Sequence, residues 1–220
     1  LQTNSLRFQS VGGGCINETF RVISAGKNYF LKINSESLYP RMFEKEKNGL
    51  QLLQKQNTIK VPGVILNGIT NNTQFLLLEW IETGHRSASF WKDFGEQLAA
   101  LHKVSWTDVE SQSLFGLEED NYIGSLPQEN QPGKSWIDFF ISYRLEPQIK
   151  FAGKYLQPSH HNNFEKLFQR LGDIFPTEPS SLLHGDLWSG NFMCDENSHP
   201  VLIDPAIYFG HRSMDLGMTT

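Results

Sequence analysis

The chain has 220 residues, 39 % of them hydrophobic and 20 % charged, with a formal net charge of −5. That is an ordinary globular composition with enough chain for one large domain or two small ones. The acidic balance argues against nucleic acid or an anionic membrane as the main partner, since both favour a basic face, and no apolar run approaches the roughly 20 residues of a membrane-spanning helix. The opening Leu1-Gln2-Thr3-Asn4 has neither the charged nor the apolar region of a signal peptide. Cys15 and Cys194 are the only cysteines and lie far apart. Two do not make a disulfide scaffold, so the expected setting is reducing and cytoplasmic.

Leu6 to Ile33 reads as β-rich, with Phe20 and Val22 in one run, Tyr29 to Ile33 in the next, and a hairpin-like turn at Ala25-Gly26-Lys27-Asn28 between them. Ahead of them stands Val11-Gly12-Gly13-Gly14-Cys15-Ile16-Asn17. Successive glycines allow close backbone approach, and such a loop either lays its amides over phosphates or is a plain flexible turn. Lys32 sits mid-strand between Leu31 and Ile33. Phe43, Glu46, Leu50 and Leu53 then recur on one helical face. A carboxylate on an apolar stripe is costly unless paired. Either Lys32 pairs with Glu46, which is how kinases hold nucleotide phosphates, or Glu46 lies at the solvated edge of the stripe.

Val61 to Ile65 and Gln74 to Ile81 read as further strands around a turn at Asn71-Asn72. The second ends in Glu79-Trp80-Ile81, which is either a hinge with backbone groups for an adenine edge or a core strand. After Gly84 the pattern becomes helical. Phe90, Phe94, Leu98 and Leu101 form one stripe, with Ser87 or Ser89 as N-cap and a structural His102 at its end. Residues 116–133 form a long polar loop. Trp136, Phe139, Phe140 and Tyr143 form an aromatic stripe, read as core, that ends near Pro147. Phe164, Leu167, Phe168 and Leu171 mark another helix.

The chemistry is most legible near the end. His184-Gly185-Asp186-Leu187-Trp188-Ser189-Gly190-Asn191 places an Asn five residues after an Asp, and Asp204 follows thirteen residues later, after the apolar Val201-Leu202-Ile203. This is the spacing of a kinase catalytic loop and its metal-binding partner. One Asp orients the attacking hydroxyl, while the Asn and the second Asp offer oxygens to a magnesium ion on the nucleotide. The two halves of the chain meet near residue 82, with the nucleotide expected between them.

Taken together, these pieces resemble the fructosamine kinase (ketosamine-3-kinase) family of the aminoglycoside phosphotransferase-like branch. Gly12 to Asn17 looks like its Gly-rich loop, Phe43 with Glu46 to Leu50 its Glu-bearing helix, and Leu78 to Ile81 its hinge. Trp136, Phe139, Phe140, Arg144, Leu145 and Pro147-Gln148 resemble its W-x-x-F-F and R-L-x-P-Q elements. The most specific matches are His184 to Asn191 and Asp204 to Arg212. The resemblance implies an α+β, bilobal protein-kinase-like fold, with residues 1–81 as a nucleotide-binding N-lobe and 82–220 as a C-lobe carrying the catalytic loop and substrate side. It implies ATP and Mg2+ as cofactors and phosphorylation of O3 of a ketosamine, free or protein-bound, in deglycation or metabolite repair. Asp186 would be the catalytic base, with Asn191 and Asp204 on the metal. Gly12, Gly13, Gly14, Cys15, Ile16, Asn17, Lys32, Glu46, Glu79 and Ile81 would bind nucleotide. His184 and Asp215 would brace the loop, and Trp188 would face the sugar or pack in the core.

Three departures from the family pattern stand out. Ser213 replaces a usual Glu, Gly217 a usual Ala, and the chain stops at Thr220 where the family continues into more helices. A C-terminally truncated chain, lacking part of the sugar pocket, is the expectation. A monomer is expected, with redox-linked dimerisation through Cys15 as a separate hypothesis. The rival functions are another small-molecule kinase of the same branch, acting on choline or an aminoglycoside, and a nucleotide-binding pseudokinase or scaffold.

Overall fold

The computed structural model describes residues 6–12, 16–107, 110 and 112–219. Five strands form an antiparallel sheet in the order β1-β2-β3-β5-β4, with β1 at Arg7–Ser10, β2 at Glu18–Ser24, β3 at Lys27–Ser35, β4 at Val64–Thr70 and β5 at Thr73–Glu79. The β2–β3 turn is at Ala25-Gly26, both at positive φ, and Asn71-Asn72 turns β4 into β5 in the same way. Asn and Gly tolerate that conformation at little cost. The glycine-rich stretch connects β1 to β2. The Thr19 hydroxyl closes its base by donating to the Val11 carbonyl at 2.6 Å. Gly13, Gly14 and Cys15, and with them the Cys15 redox hypothesis, lie outside the described residues.

Helix α1 (Met42–Gln56) crosses the sheet and buries Phe43, Leu50 and Leu53, the three apolar members of the predicted stripe. Helix α2 (Phe90–Leu101) buries all four of its predicted residues. Ser89 is its N-cap residue, yet its hydroxyl donates to the Asp93 carboxylate at 2.8 Å rather than capping a backbone amide. The predicted 116–133 loop contains a short hairpin, β6 (Asn121–Ile123) with β7 (Leu126–Gln128).

The aromatic helix does not end at Pro147. Helix α3 (Trp136–Phe140) runs through a π-helical turn, Ile141–Leu145, into α4 (Glu146–Ala152), with Pro147 in the first turn of α4. A proline disrupts the bond to the carbonyl four residues earlier. Here the Tyr143 carbonyl is taken instead by the Arg144 guanidinium at 2.9 Å. The stripe around residue 164 is two helices, α5 (Pro158–Phe168) and α6 (Leu171–Ile174), and of the two only Leu171 is buried. The remaining elements are a 3-10 turn at Gly153–Tyr155, four three-residue strands and a final helix. The strands and helix follow α6. They are β8 (Ser181–Leu183), β9 (Phe192–Cys194), β10 (Pro200–Leu202), β11 (Tyr208–Gly210) and α7 (Ser213–Met218), with β8 paired to β11 and β9 to β10.

One hydrophobic cluster joins these parts. It runs from Phe43, Leu50 and Leu53 of α1 and Leu76 and Leu78 of β5 through α2 to Leu182, Leu187, Phe192, Leu202 and Phe209. Backbone bonds cross the same region: Leu202 donates to the Lys60 carbonyl at 2.9 Å and Gly84 to the Cys194 carbonyl at 3.0 Å.

Candidate active site

Strand alternation puts Lys32 on the face of β3 that α1 covers, where it is 3 % exposed. An unpaired ammonium there would be prohibitive. It is paired twice, to Glu46 Oε1 at 2.7 Å and to Asp204 Oδ1 at 2.8 Å. Burial by itself would lower the Lys32 pKa, but the two carboxylates outweigh it and hold the ammonium above its ordinary value. Burial also raises the Glu46 carboxyl, against the pull of Lys32. The paired reading of Glu46 is the one the fold adopts. Asp204 shares the same ammonium, a contact that no local feature of the sequence signals.

The loop carrying Asp186 is held from beneath. Asp215 on α7 is fully buried. It accepts the backbone N–H groups of His184 and Gly185, both at 2.9 Å, and lies 2.9 Å from His102 Nε2. The His184 Nδ1 accepts the Asp186 N–H at 3.3 Å, which leaves Nε2 to donate to the Ile203 carbonyl at 2.8 Å. That pattern places a ring proton on Nε2. Gly185 has φ 82°, and a Cβ there would strike the Ala206 carbonyl oxygen, so the close crossing of the loop and the 204–207 segment demands glycine. His184 and Asp215 thus sit where bracing residues would. His102 is structural, as its place in the sequence suggested, but its partner Asp215, 113 residues away, was not legible there.

Asn191 donates through Nδ2 to the Asp186 carbonyl at 2.8 Å and to the Asp186 carboxylate at 2.9 Å. This fixes the amide and leaves its oxygen as the atom for a cation. Asp186 itself is pushed up from the ordinary carboxylate range, chiefly by burial. Asp204 has φ 53° and a side chain 44 % exposed. The donor set of Asp204, Asn191 and Asp186 is all oxygen. Among the described residues there is no group of three or more His, Cys, Asp or Glu that could hold a metal by itself. Few, hard oxygen ligands completed by phosphate oxygens and water suit magnesium, so the residues fit the ion that the sequence led us to expect.

These side chains converge on one cavity of about 300 Å³, lined by Lys32, Glu46, Asp186, Trp188, Asn191 and Asp204 among others. Ile16 and Asn17 also line it, and Asn17 Oδ1 accepts from Asn34 Nδ2 at 2.7 Å. Trp188 is 52 % exposed, so it is not core; its ring lies across Gly190. Gly12, Glu79 and Ile81 do not line this cavity. The Glu79 N–H is committed to the Gly63 carbonyl at 2.8 Å, so that donor does not serve an adenine. Of the departures noted above, Ser213 bonds the His211 ring at 2.7 Å, and a Cβ at Gly217 would meet nothing within 4 Å.

A family model described as fructosamine kinase matches residues 2–220. This chain belongs to the fructosamine kinase family. A Synechocystis relative named as a ketoamine kinase is 38 % identical over 96 % of the chain and 70 % of its own length. An Arabidopsis thaliana relative named protein-ribulosamine 3-kinase, chloroplastic, is 37 % identical over 99 % of the chain, which spans 66 % of that protein. Among solved structures, a Haemophilus somnus protein named for fructosamine-3-kinase superposes with a TM-score of 0.82 at 28 % identity, covering 96 % of this chain and 70 % of that one. An aminoglycoside phosphotransferase complex with AMP-PNP and hygromycin B shares the fold, with a TM-score of 0.68 at 15 % identity over 98 % of this chain and 72 % of that one. The family's fold, α+β and protein-kinase-like, is this chain's fold, and its class is kinase: phosphoryl transfer from ATP to an alcohol.

Proposed function

We propose that this chain phosphorylates O3 of a ketosamine, free or attached to a protein, and so acts in deglycation or metabolite repair. The observation that carries the reading is the convergence of Lys32, Glu46, Asp186, Asn191 and Asp204 on one cavity. Asp186 accepts the hydrogen bond of the acceptor hydroxyl and takes its proton as that oxygen bonds to the γ-phosphorus of ATP and the bond from phosphorus to the bridging oxygen breaks, releasing ADP. Its carboxylate is aimed by the Asn191 amide, and its backbone by His184 and Asp215. Lys32 holds the nucleotide phosphates and is kept in place by Glu46. Magnesium, when bound by the oxygens of Asp204 and Asn191, supplies charge neutralisation on the phosphates. Ile16 and Asn17 cover the phosphates, and Trp188 offers its exposed face to the sugar.

Residues 1–81 form the nucleotide side of this reading and 82–220 the substrate side. A cytoplasmic location, on the grounds of cysteine usage, and a monomer are part of it. No helix among the described residues is long and apolar enough to cross a membrane.

A coupled assay of ATP consumption across ketosamines, choline and aminoglycosides tests the proposal. Turnover confined to ketosamines is expected. Turnover on choline or an aminoglycoside alone would replace the acceptor, and tight magnesium-dependent ATP binding with no phosphorylated product would make the chain a pseudokinase.

A further inference from the structure

The segment from Asp204 to Ile207 belongs to no helix or strand, yet it begins with a non-glycine residue at φ 53°. Such a conformation costs on the order of 1 kcal/mol or more and persists only when its surroundings impose it. On one side the restraint is backbone: Ile203 donates to the Asn191 carbonyl at 3.0 Å and Ala206 to the His184 carbonyl at 2.9 Å. On the other side the Ala206 and Ile207 carbonyls point at the β6–β7 hairpin, and the groups that meet them are side-chain amides. Asn121 Nδ2 donates to the Ile207 carbonyl at 2.7 Å. Gln128 Nε2 donates to the Ala206 carbonyl at 3.1 Å and to Asn121 Oδ1 at 2.8 Å.

The chain of donors continues outward in one direction. Asn130 Nδ2 donates to Asn121 Oδ1 at 3.0 Å, and Arg144 Nη2 donates to Asn130 Oδ1 at 2.6 Å. Asn121, Gln128 and Asn130 are 7, 4 and 0 % exposed. Three buried amides in a mere connection would be a liability. Satisfied head to tail, they polarise one another and admit only one orientation. A flipped Asn121 would set its oxygen against the Ile207 carbonyl and its nitrogen against two donors.

We propose that Asn121 and Gln128 are positioning residues for the Asp204 carboxylate, holding the 204–207 segment by its carbonyls so that Asp204 faces the metal. The proposal rests on the reading of Asp204 as a magnesium ligand. It also gives the polar 116–133 stretch a task. Arg144, stacked 4.1 Å over the Tyr208 ring and 4.7 Å over that of Phe139, anchors the outer end of the relay to the aromatic core.

The test uses the full chain with Asn121→Asp and Gln128→Met, each of which removes a donor at nearly constant volume. Mn2+ is the probe, titrated by water-proton relaxation against protein saturated with a non-hydrolysable ATP analogue, with circular dichroism and melting curves to establish folding. Groups that orient metal ligands are worth about 10- to 100-fold in metal affinity. A loss of that size is expected in both variants, with metal-free binding of the analogue unchanged in Gln128→Met, whose side chain does not line the cavity as Asn121 does. In turnover, the metal concentration for half-maximal rate rises while KM for the ketosamine stays. Folded variants that bind Mn2+ like the wild type overturn the positioning role alone. A wild-type protein that binds no Mn2+ with the analogue overturns the metal assignment and the positioning role with it. Should Asn121→Asp fail to fold, Gln128→Met decides the matter by itself.

Discussion

Asp186 and Lys32 are set apart by how each is held. Asp186 is oriented by one amide and partly open to the cavity, so replacing its charge changes chemistry more than folding. Asp186→Asn is expected to lower kcat by about 100- to 10,000-fold, the scale of general-base catalysis, with a melting temperature within a degree or two of the wild type. Near-normal turnover would sink the kinase mechanism as drawn. Lys32 is the opposite case. Lys32→Met strands Glu46 in the core, and breaking a buried pair costs about 3–5 kcal/mol. Denaturant titration of Lys32→Met and of the double variant Lys32→Met/Glu46→Leu checks this, and the double variant is expected to regain much of the loss. Gly185→Ala forces a Cβ into the Ala206 carbonyl at positive φ and is expected to abolish soluble expression or the catalytic loop's order. The Lys32–Glu46 pairing could be argued from the sequence because a lone carboxylate interrupted an apolar stripe. No such local signal marks the Lys32–Asp204 contact, which joins residues 172 apart.

Long periodic elements were legible and short or long-range ones were not. Helices α1 and α2 bury the residues that their periodicity selects, because an apolar face repeated over three turns has one way to be covered. The strands β8 to β11 are three residues each, too short to show alternation. The β6–β7 hairpin looked like polar loop because its side chains bond carbonyls 78 and 86 residues away. At Pro147 the local rule was sound, but the π-turn and Arg144 supplied what it assumed was missing. Arg144 also reaches the Glu129 carbonyl at 2.7 Å. A lysine keeps the charge but not the planar fork, so Arg144→Lys is expected to cost about 1–3 kcal/mol, as for stranded buried hydrogen-bonding groups. Chemical denaturation measures it, and a change below about 0.5 kcal/mol, the scatter of ordinary surface substitutions, would show that the fork is unimportant.

Across the whole molecule, the continuous core sets the behaviour. Side chains from α1 and β5 share one cluster with those of α2, β8, β9 and β10, so the sheet does not complete a core by itself, although a second cluster of Phe115, Trp136, Phe139, Leu183 and Tyr208 lies wholly within the helical part. One calorimetric transition is expected, and two well-separated transitions would contradict the shared core. The catalytic spacing of Asp186, Asn191 and Asp204 was plain in the sequence, but the surface that carries them to Lys32 was not, since it depends on which faces this cluster joins. The same continuity makes the protein its own reporter. A ligand that binds anywhere in the cleft stabilises the entire cooperative unit by RT ln(1 + [L]/Kd), about 2.7 kcal/mol at a hundredfold excess over Kd. Acceptors can therefore be ranked from melting curves in the presence of a non-hydrolysable nucleotide, before any turnover is seen.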